Sequence, residues 1–241
     1  MPRRPYRPRA QVMSTIENNI AKVAARIREA AQAAQRDPAT VGLLAVSKTQ
    51  PASAVREAFA AGLGDFGENY LQEALEKQAL LADLPLTWHF IGPIQSNKTK
   101  AIAEHFAWVH SVDRLKIAER LSDQRPAHLP PLNVCLQVNV SDEQSKSGCS
   151  ESEARELAAA IAALPRLRLR GLMCIPAPSD DPAVQRAAFA RLRRLRDELG
   201  ADLDTLSMGM SQDLEAAIAE GATWVRIGTA LFGARDYGRP Q

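Results

Sequence analysis

The sequence contains no apolar run long enough to span a bilayer, no histidine or cysteine set at metal-ligand spacing, and no acidic residue in its first thirteen positions. A membrane helix needs roughly 20 consecutive apolar residues, so the first absence excludes one. Cysteine is scarce and odd in number: Cys135, Cys149 and Cys174 show no close pairing. That argues against a disulfide framework and a zinc site, and fits thiols kept reduced in the cytoplasm. Cys135 and Cys174 fall in apolar strand-like runs and read as core packing. Strong charge is missing as well, although the formal +2 conceals its distribution. Residues 1–13, MPRRPYRPRAQVM, hold Arg3, Arg4, Arg7 and Arg9, and the remainder has 26 basic against 28 acidic residues. So balanced a body has no footprint for phosphate-backbone binding, and no nucleic-acid partner is expected. The head lacks the apolar core of a secretory signal, and its three prolines disfavour an amphipathic targeting helix. It reads as a disordered basic tail, or as an upstream start before Met13, with residues 14–241 forming one domain.

What is present is an alternation of two hydrophobic periods. A first helix is expected from about Ser14 to Gln35, where Ser14 and Glu17 match a capping box and Ile16, Ile20, Val23 and Ile27 form the apolar stripe. Eight short apolar runs follow: LLAVSK (43–48), GDFGEN (64–69), TWHFIG (87–92), WVHSV (108–112), LNVCLQVNV (132–140), LRGLMCIP (169–176), TLSMGM (205–210) and WVRIG (224–228). Each gap holds enough sequence for a helix, with start signals at Pro51, Asp113, Ser150 and Ser211. The helix at about Pro182 to Leu199 is expected to bury Val184, Ala188, Leu192 and Leu195 beneath a solvated face of five arginines. Eight β–α units predict an α/β fold, a single (β/α)8 barrel with an extra N-terminal helix. An open doubly wound sheet is disfavoured, because its G-x-G-x-x-G is absent and the first run ends in Ser47-Lys48-Thr49.

In such a barrel functional groups collect at the carboxyl ends of the strands, with phosphate commonly on loops seven and eight. Strand parity puts Leu44, Val46 and Lys48 on one face, with the lysine at the carboxyl end. A lysine drawn out of water loses its proton more readily and can form a Schiff base with an aldehyde. The bland alternative is an ammonium that reaches solvent at the rim. On the far strands, Ser207 and Thr229 offer hydroxyls and Gly228 lets an anion approach the backbone, which together describe a phosphate cup. Arg226 shares parity with Gly228, and strands one and eight adjoin in a closed barrel. Lys48 and Arg226 are therefore expected to face one cavity, where a phosphorylated aldehyde would accept both cations. The competing reading pairs Arg226 with a carboxylate such as Glu68. His89 and His110 are expected to be satisfied core groups.

These segments, AVSKTQP (45–51), FGENYLQE (66–73), WHFIGPIQSNK (88–98), NVSDEQSKSG (139–148), GLMCIP (171–176), LSMGMSQDLEAAI (206–218) and VRIGTALFG (225–233), resemble in order the motifs of the pyridoxal phosphate homeostasis proteins. That family has the fold-type III, alanine-racemase N-terminal-like barrel, and the resemblance runs from Ser14 to Tyr237. It implies pyridoxal 5′-phosphate (PLP) as cofactor, held as an internal aldimine on Lys48. Arg226 would meet the pyridine nitrogen, Ser207, Gly228 and Thr229 would hold the phosphate, and Asn69 would lie beside the cofactor. It further implies a monomeric cytoplasmic protein of vitamin B6 homeostasis, with no membrane partner, that meets PLP-dependent apo-enzymes transiently.

An amino-acid racemase is the main alternative. Racemisation needs a second acid or base on the opposite face of the substrate, and in racemases a tyrosine from an additional domain supplies it. The chain ends about a dozen residues after strand eight, and its tyrosines, Tyr6, Tyr70 and Tyr237, are not well placed by sequence for that role. Arginine stays protonated and donates to a ring nitrogen, leaving a neutral pyridine that is a poor electron sink, which disfavours carbanion chemistry. The expectation is therefore a carrier rather than an enzyme. A Schiff-base aldolase acting on a phosphorylated substrate and a pure interaction scaffold are the remaining alternatives.

Overall fold

The computed structural model describes residues 14–141, 147–200 and 202–233; the basic tail expected at 1–13 lies outside them, as do Tyr6 and Tyr237. Helix α1 (Thr15–Ala33) starts where the sequence indicates: Ser14 caps it, its Oγ accepting from Glu17 N at 3.1 Å. Ile20, Val23 and Ile27 are buried along its inner stripe. Arg26 and Arg36 then tie this helix region to residues 215–222. Arg26 pairs with Glu215, and Arg36 donates to the carbonyls of Ile218 and Ala222.

Eight parallel strands close into a ring in chain order: β1 (Gly42–Val46), β2 (Asp65–Glu68), β3 (Thr87–Phe90), β4 (Trp108–Val112), β5 (Leu132–Gln137), β6 (Leu167–Met173), β7 (Thr205–Ser207) and β8 (Trp224–Ile227). Each corresponds to one of the eight apolar runs. The helices between them are α2 (Ala52–Ala60), α3 (Leu71–Leu80), α4 (Thr99–His105), α5 (Leu115–Gln124), α6 (Glu151–Ala162), α7 (Pro182–Leu199) and α8 (Leu214–Ala219), and the short α9 (Thr229–Phe232) follows β8. Ser150 forms a full capping box with Glu153 at the start of α6. Ser211 does not cap α8; the cap position falls to Asp213, whose carboxylate instead accepts from Met210 N at 2.6 Å.

The apolar layer between strands and helices is the main core, and Phe66, Leu136, Leu172 and Phe189 are fully buried there. Phe189 corrects the expected stripe of α7. Phe189, Leu192 and Leu195 face the barrel, whereas Val184 is 53% exposed. The arginines of α7 are also less idle than a solvated face would be: Arg186 and Arg193 pair with Glu220, and Arg191 with Glu151.

Inside the ring the packing differs in kind. Leu44, Ile91 and Met173 share the interior with His89, His110, Ser207 and Arg226. At the amino-terminal mouth Trp108 stacks on His89 with centroids 5.5 Å apart, while Trp224 meets the same ring edge-on at 5.2 Å.

Candidate functional site

The carboxyl end of β1 carries Lys48 two residues beyond the last strand residue. Three side chains of the next unit hold this turn from outside the barrel. Glu68, fully buried, accepts from Ser47 Oγ at 2.6 Å and from Lys77 Nζ at 2.7 Å. The same ammonium donates to the Ser47 carbonyl at 2.6 Å and to Glu73 at 2.5 Å. Glu73 in turn accepts from Thr49 N at 2.6 Å. Both neighbours of Lys48 are thereby fixed, and Thr49 is held at φ +64°, a left-handed conformation that costs a threonine on the order of 1 kcal/mol. Burial holds the Glu68 carboxyl above its usual range, with Lys77 pulling the other way. Sequence reading did not find this cluster. Its only sequence signal is Lys77 four residues after Glu73 on one helix face.

Lys48 borders a small cavity with Val46, Gln50, Gly228, Thr229 and Gly233. The structure thus brings together three of the predicted residues, Lys48, Gly228 and Thr229, from the first and last strands. Gly228 packs against β1: a β-carbon added there would lie 3.2 Å from the Val46 carbonyl oxygen, a tight contact that glycine avoids. Asn69, at the end of the neighbouring β2, presents a buried Oδ1 with no hydrogen-bond partner among the described residues. An acceptor left unpaired in this way is uncommon in a folded protein and suits a ligand.

Arg226 does not line that cavity. It lies on the same inner face, in register with Leu44, and is 5% exposed. Its guanidinium reaches the ends of β6 and β7, donating to the Cys174 carbonyl and to Ser207 Oγ, each at 2.9 Å. Two of its five N–H groups are thereby used, and the other three have no acceptor among the described residues. The two cations expected in one cavity are separated by depth, Lys48 at the rim and Arg226 beneath. The alternative pairing of Arg226 with Glu68 fails, because Glu68 points outward to Lys77. Burial pushes the Arg226 guanidinium below its usual range.

Ser207 departs from its expected place in the cup. Its Oγ is fully buried and lies between Arg226 and His110 Nδ1, 2.8 Å from the latter. Its geometry suits holding the arginine rather than an anion. His89 and His110 are buried and hydrogen-bonded, as expected of core groups. Tyr70 is 55% exposed at the start of α3. Among the described residues no His, Cys, Asp and Glu cluster could hold a metal ion, and no helix is long and apolar enough to cross a membrane.

A family model described as alanine racemase, N-terminal domain, matches residues 18–236. A protein of Pseudomonas aeruginosa named pyridoxal phosphate homeostasis protein is 79% identical over 228 residues, spanning 95% of this chain and 99% of its own. Among solved structures, PipY of Synechococcus elongatus PCC7942 with PLP bound is 41% identical with a TM-score of 0.79, over 91% of this chain and 100% of PipY. An alanine racemase of Corynebacterium glutamicum superposes with a TM-score of 0.67 at 19% identity, over 93% of this chain and 64% of the racemase, a likeness of fold alone.

Proposed function

Because the chain belongs to the alanine racemase N-terminal domain family, and within it to the pyridoxal phosphate homeostasis proteins, we propose that it binds pyridoxal 5′-phosphate at the carboxyl-terminal mouth of the barrel and keeps it available within the cell. When bound, the cofactor's aldehyde condenses with an amine and releases water; Lys48 is the amine that borders the cavity. The observation that carries this reading is the grouping of Lys48 with Gly228 and Thr229 around one small cavity.

The residues divide the work by depth. Gly228 and Thr229 offer backbone amides and a hydroxyl to the phosphate at the rim. Ser211, two residues past Gly209 as Gly228 is two past Arg226, is the hydroxyl that loop seven offers in place of Ser207, since Gly209 O accepts from Arg226 N. Arg226 supplies free donors to the ring nitrogen, and a guanidinium does not give up its proton there. The ring therefore stays neutral, which weakens it as an electron sink and favours retention over carbanion chemistry. The Pseudomonas aeruginosa relative is named for homeostasis rather than for a reaction. The recipients in this reading are apo-enzymes that need the cofactor, met transiently.

The test is an absorption spectrum of purified protein with and without borohydride, followed by peptide mapping. A visible band that disappears on reduction, with the reduced adduct on Lys48 and neither in Lys48→Ala, is the expected result. Colourless protein after loading, or an adduct on another lysine, refutes the assignment. Turnover of alanine at about 1 s⁻¹ or faster would make it a racemase instead.

A further inference from the structure

The barrel interior contains an unbroken hydrogen-bonded column that runs from the opposite mouth up to Arg226. From the amino-terminal mouth upward, Asp65 Oδ1 lies 3.0 Å from His89 Nε2, and His89 Nδ1 lies 3.0 Å from His110 Nε2. His110 Nδ1 lies 2.8 Å from Ser207 Oγ, which accepts from Arg226 Nη1 at 2.9 Å. Five strands, β2, β3, β4, β7 and β8, each contribute one residue. The two imidazoles are fully buried, while Asp65 is part-exposed at the mouth.

The polarity of this column follows from its ends. A guanidinium has only donors and a carboxylate only acceptors. Arg226 donates to Ser207, so the serine proton is free to go to His110 Nδ1. His110 must then carry its proton on Nε2 and give it to His89 Nδ1, and His89 must carry its proton on Nε2 and give it to Asp65. Each bond along the column then has one donor and one acceptor, with both rings neutral and in one tautomer. Burial favours the neutral form of both rings, and the positive charge of Arg226 adds to this at His110. The other charged groups near the column are Asp213, whose carboxylate acts on Arg226 from beyond ion-pair distance, and Arg170, stacked over Trp108 at 4.9 Å, with its partner Asp204.

We propose that Asp65, His89 and His110 are positioning residues for Arg226, an oriented relay through which a carboxylate at the opposite mouth of the barrel polarises and aims the buried guanidinium. The need for such a device is visible in the structure, since Arg226 is nearly inaccessible and no carboxylate among the described residues is within ion-pair distance of it. Bonds in a chain that all point one way strengthen one another, so a negative charge four bonds away still favours the cation. The effect on cofactor retention rests on the function proposed above, whereas the orientation of the relay does not.

Two-bond proton–nitrogen NMR of the imidazoles, in cofactor-free protein, tests the orientation directly. His89 and His110 are expected as Nε2–H tautomers between about pH 6 and 8. In Asp65→Ala both rings lose the single tautomer, whereas Asp65→Asn, which keeps an acceptor oxygen, retains it. On loaded protein Asp65→Ala should shift the visible band and speed cofactor loss roughly tenfold, the effect of one charge-assisted hydrogen bond. Trp108→Phe, which alters packing on the same ring but no bond of the column, should do neither. An Nδ1–H tautomer or an imidazolium at either position in the parent protein overturns the proposal, as does an Asp65→Ala spectrum identical to the parent's. If the protein takes up no cofactor while the tautomers are as stated, the function fails and the relay stands.

Discussion

Replacing Lys77 by methionine would remove one ammonium and leave three acceptors behind: Glu68, Glu73 and the Ser47 carbonyl. Methionine keeps most of the volume, so the loss is electrostatic. Glu68 is fully buried, its Oε2 already lacks a partner, and its Oε1 would keep only Ser47 Oγ. Breaking a buried pair from one side costs about 3–5 kcal/mol. For a domain of this size that is a fall of roughly 6–20 °C in melting temperature. The pH dependence gives a sharper signature. Glu68 is already held above its ordinary value of 4.5 by burial, and Lys77 opposes that shift. Without Lys77 the folded-state value rises further. A carboxyl raised on folding stabilises fully below its unfolded value and loses that contribution as pH climbs through the folded one. The Lys77→Met deficit should therefore be small near pH 4 and reach its full size by pH 8, and Glu68→Gln added to it should recover much of the loss. Thermal melts of the three proteins at both pH values decide the matter. A deficit equal at the two ends, larger in acid, or unrelieved in the double variant would refute the reasoning.

Gly209 sits at φ +95°, and a β-carbon there would lie 2.6 Å from that of Ala217. Gly209→Ala should cost at least about 1–3 kcal/mol by denaturant titration, from backbone strain alone. Thr229→Val should instead leave melting nearly unchanged while cofactor content of the purified protein falls, because it removes only an exposed hydroxyl at the cavity. Cys135 and Cys174 are buried with thiols pushed up to about 12, so aromatic disulfide reagents at pH 8 should label neither until denaturant is added. Arg226→Ala should release cofactor faster without unfolding the barrel, read by absorbance and melting side by side.

The sequence makes legible whatever depends on period and position. Eight runs became eight strands, and the parity of Leu44, Val46 and Lys48 put the lysine at the mouth beside Gly228 and Thr229. What it hid depends on partners. Ser207 was placed on the correct strand end, but whether a hydroxyl meets an anion or a neighbouring arginine is a matter of depth, which parity does not encode. The bonds of His110 to His89 and Ser207 join residues 21 and 97 positions apart, a relation visible only once the ring has closed. In α7 the arginines obscured the stripe. Val184 fits the apolar period as well as Phe189, and only packing against the barrel shows which is inside.

Lys48 and Gly228 belong to opposite ends of the chain, and they meet because β1 and β8 pair along Gly42–Ala45 and Trp224–Ile227. A partly synthesised or partly folded chain thus has the lysine without the cup. Occupancy becomes possible only when the last strand zips onto the first, and whatever binds there strengthens the finished ring and none of its precursors.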